Sequence, residues 1–229
     1  TGVSVCGYNV HSSNFEEVIW GVPPNRPGRL PRAMQVFWEH SASLIVFGTG
    51  ARKDKEGRAE AEVIYAYLLD NFFKLAEFEC IKQLSLPPAS LDSLRISVAR
   101  GARLATLCNN TAEELDQAGT ILEERQVRSW FIVSSPDHAP RIAKLINGNA
   151  VHRGPLWQNV AVVSSSVPYG RGAEHLVILE TPNNASDLYR TFVSEAGSIA
   201  QLLRTGHSGS KELEGAARKL RSLADLIGS

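Results

Sequence analysis

Ser43-Leu44-Ile45-Val46-Phe47-Gly48-Thr49-Gly50 is the stretch that decides the fold. It carries no charge, it is of strand length, and it stops at Gly-Thr-Gly. A strand solvated on one face alternates apolar and polar residues. A continuous apolar run is what a strand needs when helices cover both faces of a parallel sheet.

Working outward, a charged loop follows at 51–57, and then Arg58 to Phe73 reads as a helix. Ala61, Ile64, Tyr65, Leu68 and Leu69 share one face there, at the spacing of a helix lying on a core. Upstream, Leu30, Ala33, Met34, Phe37 and Trp38 form a second such stripe, entered through the Pro- and Gly-rich loop VPPNRPGRLP at 22–31. Before it, Glu16 to Trp20 reads as a short strand ending at Gly21. Downstream, Thr111 to Arg125 and His138 to Ile146 read as helices, and Arg128 to Val133 as a strand ending at Ser134-Ser135-Pro136. Val160–Ser164 and Leu176–Leu179 read as the last strands. Helices from Asp187 and Lys211 close the chain, with Ser186 and Ser210 as their N-caps. Residues 75–108 are less regular: Leu86-Pro87-Pro88 breaks the pattern, Leu91 to Leu104 reads as helix, and either Glu79–Gln83 or Arg103–Leu107 could be a strand.

Strand then helix, repeated, predicts an α/β fold, a Rossmann-like three-layer domain with a mostly parallel sheet and right-handed crossovers. Val18–Trp20, Leu44–Phe47 and Trp130–Val133 are expected as neighbouring parallel strands. The 229 residues contain no linker and no repeat, so one domain over residues 1–229 is expected.

Twenty-four basic residues balance twenty-four acidic ones. A dedicated nucleic-acid binder carries a basic excess to neutralise phosphates, so no nucleic-acid partner is expected. Cys6, Cys80 and Cys108 are odd in number and widely spaced, which predicts free thiols in a reducing compartment. No apolar run reaches the ~20 residues that span a bilayer, and no signal peptide is visible, so a cytoplasmic location is expected. The six histidines show neither HExxH nor a zinc spacing, and no metal site is expected.

In doubly wound sheets ligands bind outside the carboxyl ends of the strands. Three such ends stand out. Trp20-Gly21 is followed by Arg26, Arg29 and Arg32, which offer forked donors for phosphate or carboxylate. Gly48-Thr49-Gly50 can form an anion nest from backbone N–H groups, although Lys53 stands where the dinucleotide fingerprint needs its third glycine. Ser134-Ser135-Pro136-Asp137-His138-Ala139-Pro140-Arg141 places a proton-transfer group and a fixed cation three residues apart, on one helix face. Thr111-x-x-Glu114 reads as a capping box, which explains those two residues structurally.

These motifs, in order, resemble the YdcF-like family, a domain family of uncharacterised function. VIWGVPPNRPGRLPRAMQVF, LIVFGTGARKDKEGRAEAEVI, NNTAEELDQA and FIVSSPDHAPRIA are collinear with its segments over residues 16–147. By position, the resemblance implies Gly21, Arg29, Gly48, Thr49, Gly50, Asn110, Thr111, Glu114, Ser134 and Ser135 as ligand-binding residues. It adds Glu60, His138 and Arg141 as catalytic candidates. Glu114 replaces the family's Asn, and a carboxylate there would weaken anion binding. The resemblance also implies a Rossmann-like sheet and S-adenosylmethionine as a candidate ligand. The residues themselves point to a small-molecule ligand that is nucleotide-like, phosphate-bearing or otherwise anionic. His138 is then the expected general acid or base in transfer or hydrolysis. A non-catalytic module for S-adenosylmethionine or another metabolite is the other reading.

Overall fold

The computed structural model describes residues 1–84, 90–150 and 153–168. They fall within one compact unit, Thr1–Ile178. The strand expected at Leu176–Leu179 and the helices expected from Asp187 and Lys211 lie outside the described residues.

In chain order the elements are β1 (Gly2–Val5), α1 (Phe15–Ile19), β2 (Gly21–Val22), β3 (Arg26–Pro27), α2 (Arg29–Glu39), β4 (Leu44–Gly48), α3 (Glu60–Asn71), α4 (Glu79–Lys82), α5 (Ser90–Gly101), β5 (Ala102–Ala105), α6 (Thr111–Glu124), β6 (Trp130–Ser134), α7 (Ala139–Ala150) and β7 (Val160–Ser164). Five strands form a parallel sheet in the order β5-β4-β1-β6-β7. This is a three-layer α/β Rossmann-like fold. Its strand order reverses at β1, between β4 and β6, and in doubly wound sheets ligands bind at the carboxyl edge of such a reversal.

Period-two alternation splits the core in two. Val3, Val5, Ile45, Phe47 and Val133 point into one apolar cluster with α1 to α5. Leu44, Val46, Trp130 and Ile132 point into the other with α6 and α7. Trp20 is buried in the first cluster with Trp38 packed against it, while Trp130 and Trp157 meet edge to face in the second, with ring centroids 5.3 Å apart.

Three expectations need correction. Phe15–Ile19 is a helix, not part of the strand read over Glu16–Trp20. Phe15, Val18 and Ile19 are its buried residues, at i, i+3 and i+4, and that spacing decides for helix over strand. The central strand is instead β1, so Leu44–Phe47 and Trp130–Val133 are not neighbours: each pairs with β1. In the less regular region, α5 ends at Gly101 and the following strand is Ala102–Ala105, three residues inside the helix read over Leu91–Leu104. Residues 79–82 form the short helix α4.

Cys6, Cys80 and Cys108 are free thiols. Burial pushes the thiols of Cys80 and Cys108 above the usual cysteine range. A raised pKa lowers the thiolate fraction at any given pH, so labelling of the native protein should set in at a higher pH than for a free thiol peptide. Half-buried Cys80 should react before buried Cys6 and Cys108. In denaturant without reductant, a thiol reagent should count three equivalents; one equivalent would reveal a disulfide.

Candidate functional site

β1 ends at Val5, and the chain turns at Cys6-Gly7 over the carboxyl edge where the strand order reverses. One peptide group, Cys6–Gly7, is held there from both ends. At its oxygen, Arg29 Nη1 donates to Cys6 O at 2.9 Å. At its nitrogen, Gly7 N–H donates to Glu114 Oε1 at 2.8 Å. Arg29 is fully buried and Glu114 is 5% exposed, so both charges lie in the interior. Hydrogen bonds to charged groups contribute about 1.5–3 kcal/mol each, more than neutral ones.

Arg29 is the first residue of α2, where the helix dipole disfavours a cation by about 0.3–1 kcal/mol. Carbonyl partners offset this. Nη1 also donates to Gly7 O, Nε donates to Ser135 Oγ at 3.1 Å, and the guanidinium lies 5.5 Å from the centroid of the Tyr8 ring. The other two arginines of that loop turn elsewhere. Arg26 pairs with Glu17 at 3.5 Å, and Arg32 donates to Gln35 and Ser166. Gly21 sits at φ +95°, in the left-handed region, and a Cβ there would lie 2.1 Å from Arg26 O. The tight β2–β3 hairpin therefore accounts for this glycine.

From Ser135 the network continues through its neighbour. Ser134 Oγ lies 2.9 Å from His138 Nδ1, and His138 Nε2 lies 3.3 Å from Thr111 Oγ1. Thr111 is three residues before Glu114 on α6, on the same face. Two hydrogen-bonded sets, Ser135–Arg29–Cys6-Gly7–Glu114 and Thr111–His138–Ser134, are thus joined into a ring by the chain itself, at Ser134-Ser135 and along α6 from Thr111 to Glu114. Its side chains come from α2, α6, the β6 edge and the turn that leads into α7, and each is at most 7% exposed. A neutral imidazole has one N–H and one lone pair, so one hydroxyl accepts while the other donates, in either tautomer. The imidazolium donates to both. His138 can therefore take or release a proton without losing either partner.

The cap of α6 corrects the sequence reading. Asn110, not Thr111, is the N-cap: its side-chain oxygen accepts from Glu113 N–H at 3.0 Å, and Asn110 Nδ2 donates back to Glu113 Oε1. The capping frame is shifted one residue upstream, which releases Thr111 and Glu114 to the ring and engages Asn110 in the cap.

The Gly48–Gly50 turn packs against this ring. Its Gly48–Thr49 peptide is cis. A Cβ on Gly48 would lie 2.1 Å from Glu114 Oε1, and one on Gly50 would lie 1.9 Å from Thr106 O, so neither position tolerates a side chain. The turn's donors serve the protein: Gly50 N–H and Thr49 Oγ both donate to Cys108 O. Beyond Cys108, a groove of about 320 Å³ opens along the outer face of α6, with Glu113, Asp116 and Gln117 in its wall. Glu60 is buried at the first position of α3. Arg141 is half-buried one turn after His138. The amides of His138 and Ala139 both donate to Ser135 O.

Sequence reasoning missed Cys6 and Gly7. The available signal was the run Val3-Ser4-Val5-Cys6-Gly7, a short apolar stretch ending in glycine at the start of the chain.

Arg29→Ala should destabilise the protein by about 3–5 kcal/mol, because it leaves the buried Glu114 charge and two carbonyls without their counterpart. The denaturation midpoint measures this. Asn110→Ala should cost about 1 kcal/mol as a lost cap, while Thr111→Ala should leave the cap intact. Equal cap loss in both variants would return the frame to Thr111. Compared with known proteins, the chain matches no family model, no curated protein and no solved structure.

Proposed function

We propose that this protein binds a small molecule at the carboxyl edge of β1 and β6 and acts on it with His138 as general acid or base. The observation that carries this reading is the position of His138, nearly buried between two hydroxyls at the edge where a doubly wound sheet takes its ligands. Each ring nitrogen faces a hydroxyl, and both hydroxyls can follow a change of protonation. The ligand is nucleotide-like, phosphate-bearing or otherwise anionic, and Arg141, one turn after His138, is the cation proposed to stabilise developing negative charge. The reaction class is transfer or hydrolysis at a phosphate or an activated ester. The collinear motifs further support membership of the YdcF-like family.

The second reading is a non-catalytic module for S-adenosylmethionine or another metabolite. What favours it is the full burial of the hydroxyls on both sides of His138, since neither lies open to solvent as an attacking group does. The buried carboxylate of Glu114 suits a cationic ligand in sign, but its Oε1 is already held by Gly7 N–H.

His138→Gln separates the two. Turnover of chromogenic phosphate and acyl esters should fall by about 10²–10⁴-fold, the ordinary contribution of a general acid or base. Native mass spectrometry of the wild type and the variant reads retention of any co-purified small molecule. Retention with no turnover in either protein selects the binding module.

A further inference from the structure

We propose that Glu114 sets the charge this site accepts: its carboxylate fills the anion seat at the turn after β1 and bars a ligand phosphate or carboxylate from Gly7. This rests on the ligand-binding reading above and adds to it where the ligand's negative group does not go.

The turn that follows the first strand of a doubly wound sheet is where backbone N–H groups meet a ligand's anion. Here that donor is Gly7 N–H, and Glu114 Oε1 occupies it at 2.8 Å. The seat is shaped around the carboxylate. A Cβ on Gly7 would lie 2.3 Å from Thr49 Cγ2 and 2.7 Å from Gly48 O. A Cβ on Gly48 would collide with Glu114 Oε1 itself. Gly48, at the end of β4, thus makes room for the carboxylate, while Gly7 lets the chain after β1 pass close to the Gly48–Thr49 backbone. Arg29 polarises the same peptide from its oxygen, which makes Gly7 N–H a stronger donor and the seat more favourable to negative charge.

The chain therefore supplies its own anion. A second negative group at Gly7 would meet Glu114 in a buried site, where like charges are poorly screened. Glu114 is a positioning and selecting residue rather than a catalytic one. The ligand class that fits carries its anionic group away from Gly7.

The test uses inorganic phosphate and pyrophosphate as probes, and the ¹⁵N-labelled Gly7 amide as reporter. In the wild type this amide should show no saturable shift. Glu114→Gln keeps the size but replaces the charged acceptor by a weaker neutral one that phosphate can displace, so its Gly7 amide should shift saturably, with affinity gained by at least about tenfold. Glu114→Asp keeps the charge and should behave like the wild type. Saturable phosphate binding at Gly7 in the wild type overturns the proposal. So does a folded Glu114→Gln protein that gains nothing, or an Asp variant that gains as much as the Gln variant. Should Glu114→Gln fail to fold, the wild type and the Asp variant decide: binding at Gly7 in either is the overturning result. A wild type that holds no small molecule and turns none over, with phosphate gained at Gly7 in Glu114→Gln, sinks the proposed function and leaves this inference standing.

Discussion

The Cys6–Gly7 peptide lies between a guanidinium and a carboxylate, and the carboxyl edge of the sheet is organised around it. Arg29 and Glu114 are both buried, and an isolated buried charge costs several kcal/mol. In this arrangement the positive end of the chain of bonds meets the peptide oxygen, and the negative end meets the peptide hydrogen. The peptide dipole is thus aligned with the field of both charges, and each strengthens the bond made by the other. Two helices, α2 and α6, are anchored through it to the end of the central strand.

That anchoring explains why the local rules of α6 and its chemical role do not compete. With Asn110 and Glu113 closing the helix end, Thr111 and Glu114 face inward one turn apart. Thr111 reaches His138 and Glu114 reaches Gly7, so one helix face joins the proton-transfer group to the clamped peptide. Arg29 adds the bond to Ser135 and ties in β6. Displacing any one of these elements opens a ring in which every member also serves as someone else's partner.

Much of this architecture is legible in the sequence. Leu44–Phe47 and Trp130–Val133 are visible because each is a run of large apolar residues. β1 was hidden for a physical reason. On the α6 side its residues must be small: a Cβ on Gly2 would lie 2.5 Å from Leu122 Cδ2, and Ser4 accepts a hydrogen bond from the Trp130 indole. The most central strand therefore alternates valine with small residues and shows no run of large apolar ones. Glu16–Trp20 deceived in the opposite sense, since only the inclusion of Phe15 reveals its helical spacing. The candidates at Ser134, Ser135, His138 and Arg29 were legible from residue type and position, and they meet in space. The partner of His138 on α6 was not legible, because a one-residue shift in a capping frame decides whether Thr111 faces its own helix or its neighbour.

The two-sided core also labels itself. The chain has four tryptophans, and they divide evenly between the layers: Trp20 and Trp38 on the side of α1 to α5, Trp130 and Trp157 on the side of α6 and α7. The second pair is in edge-to-face contact, close enough for its excited states to couple, while the first reports on a separate environment. Each layer thus carries its own intrinsic chromophore, and loosening of one half of the fold ahead of the other has an optical signature without any introduced probe.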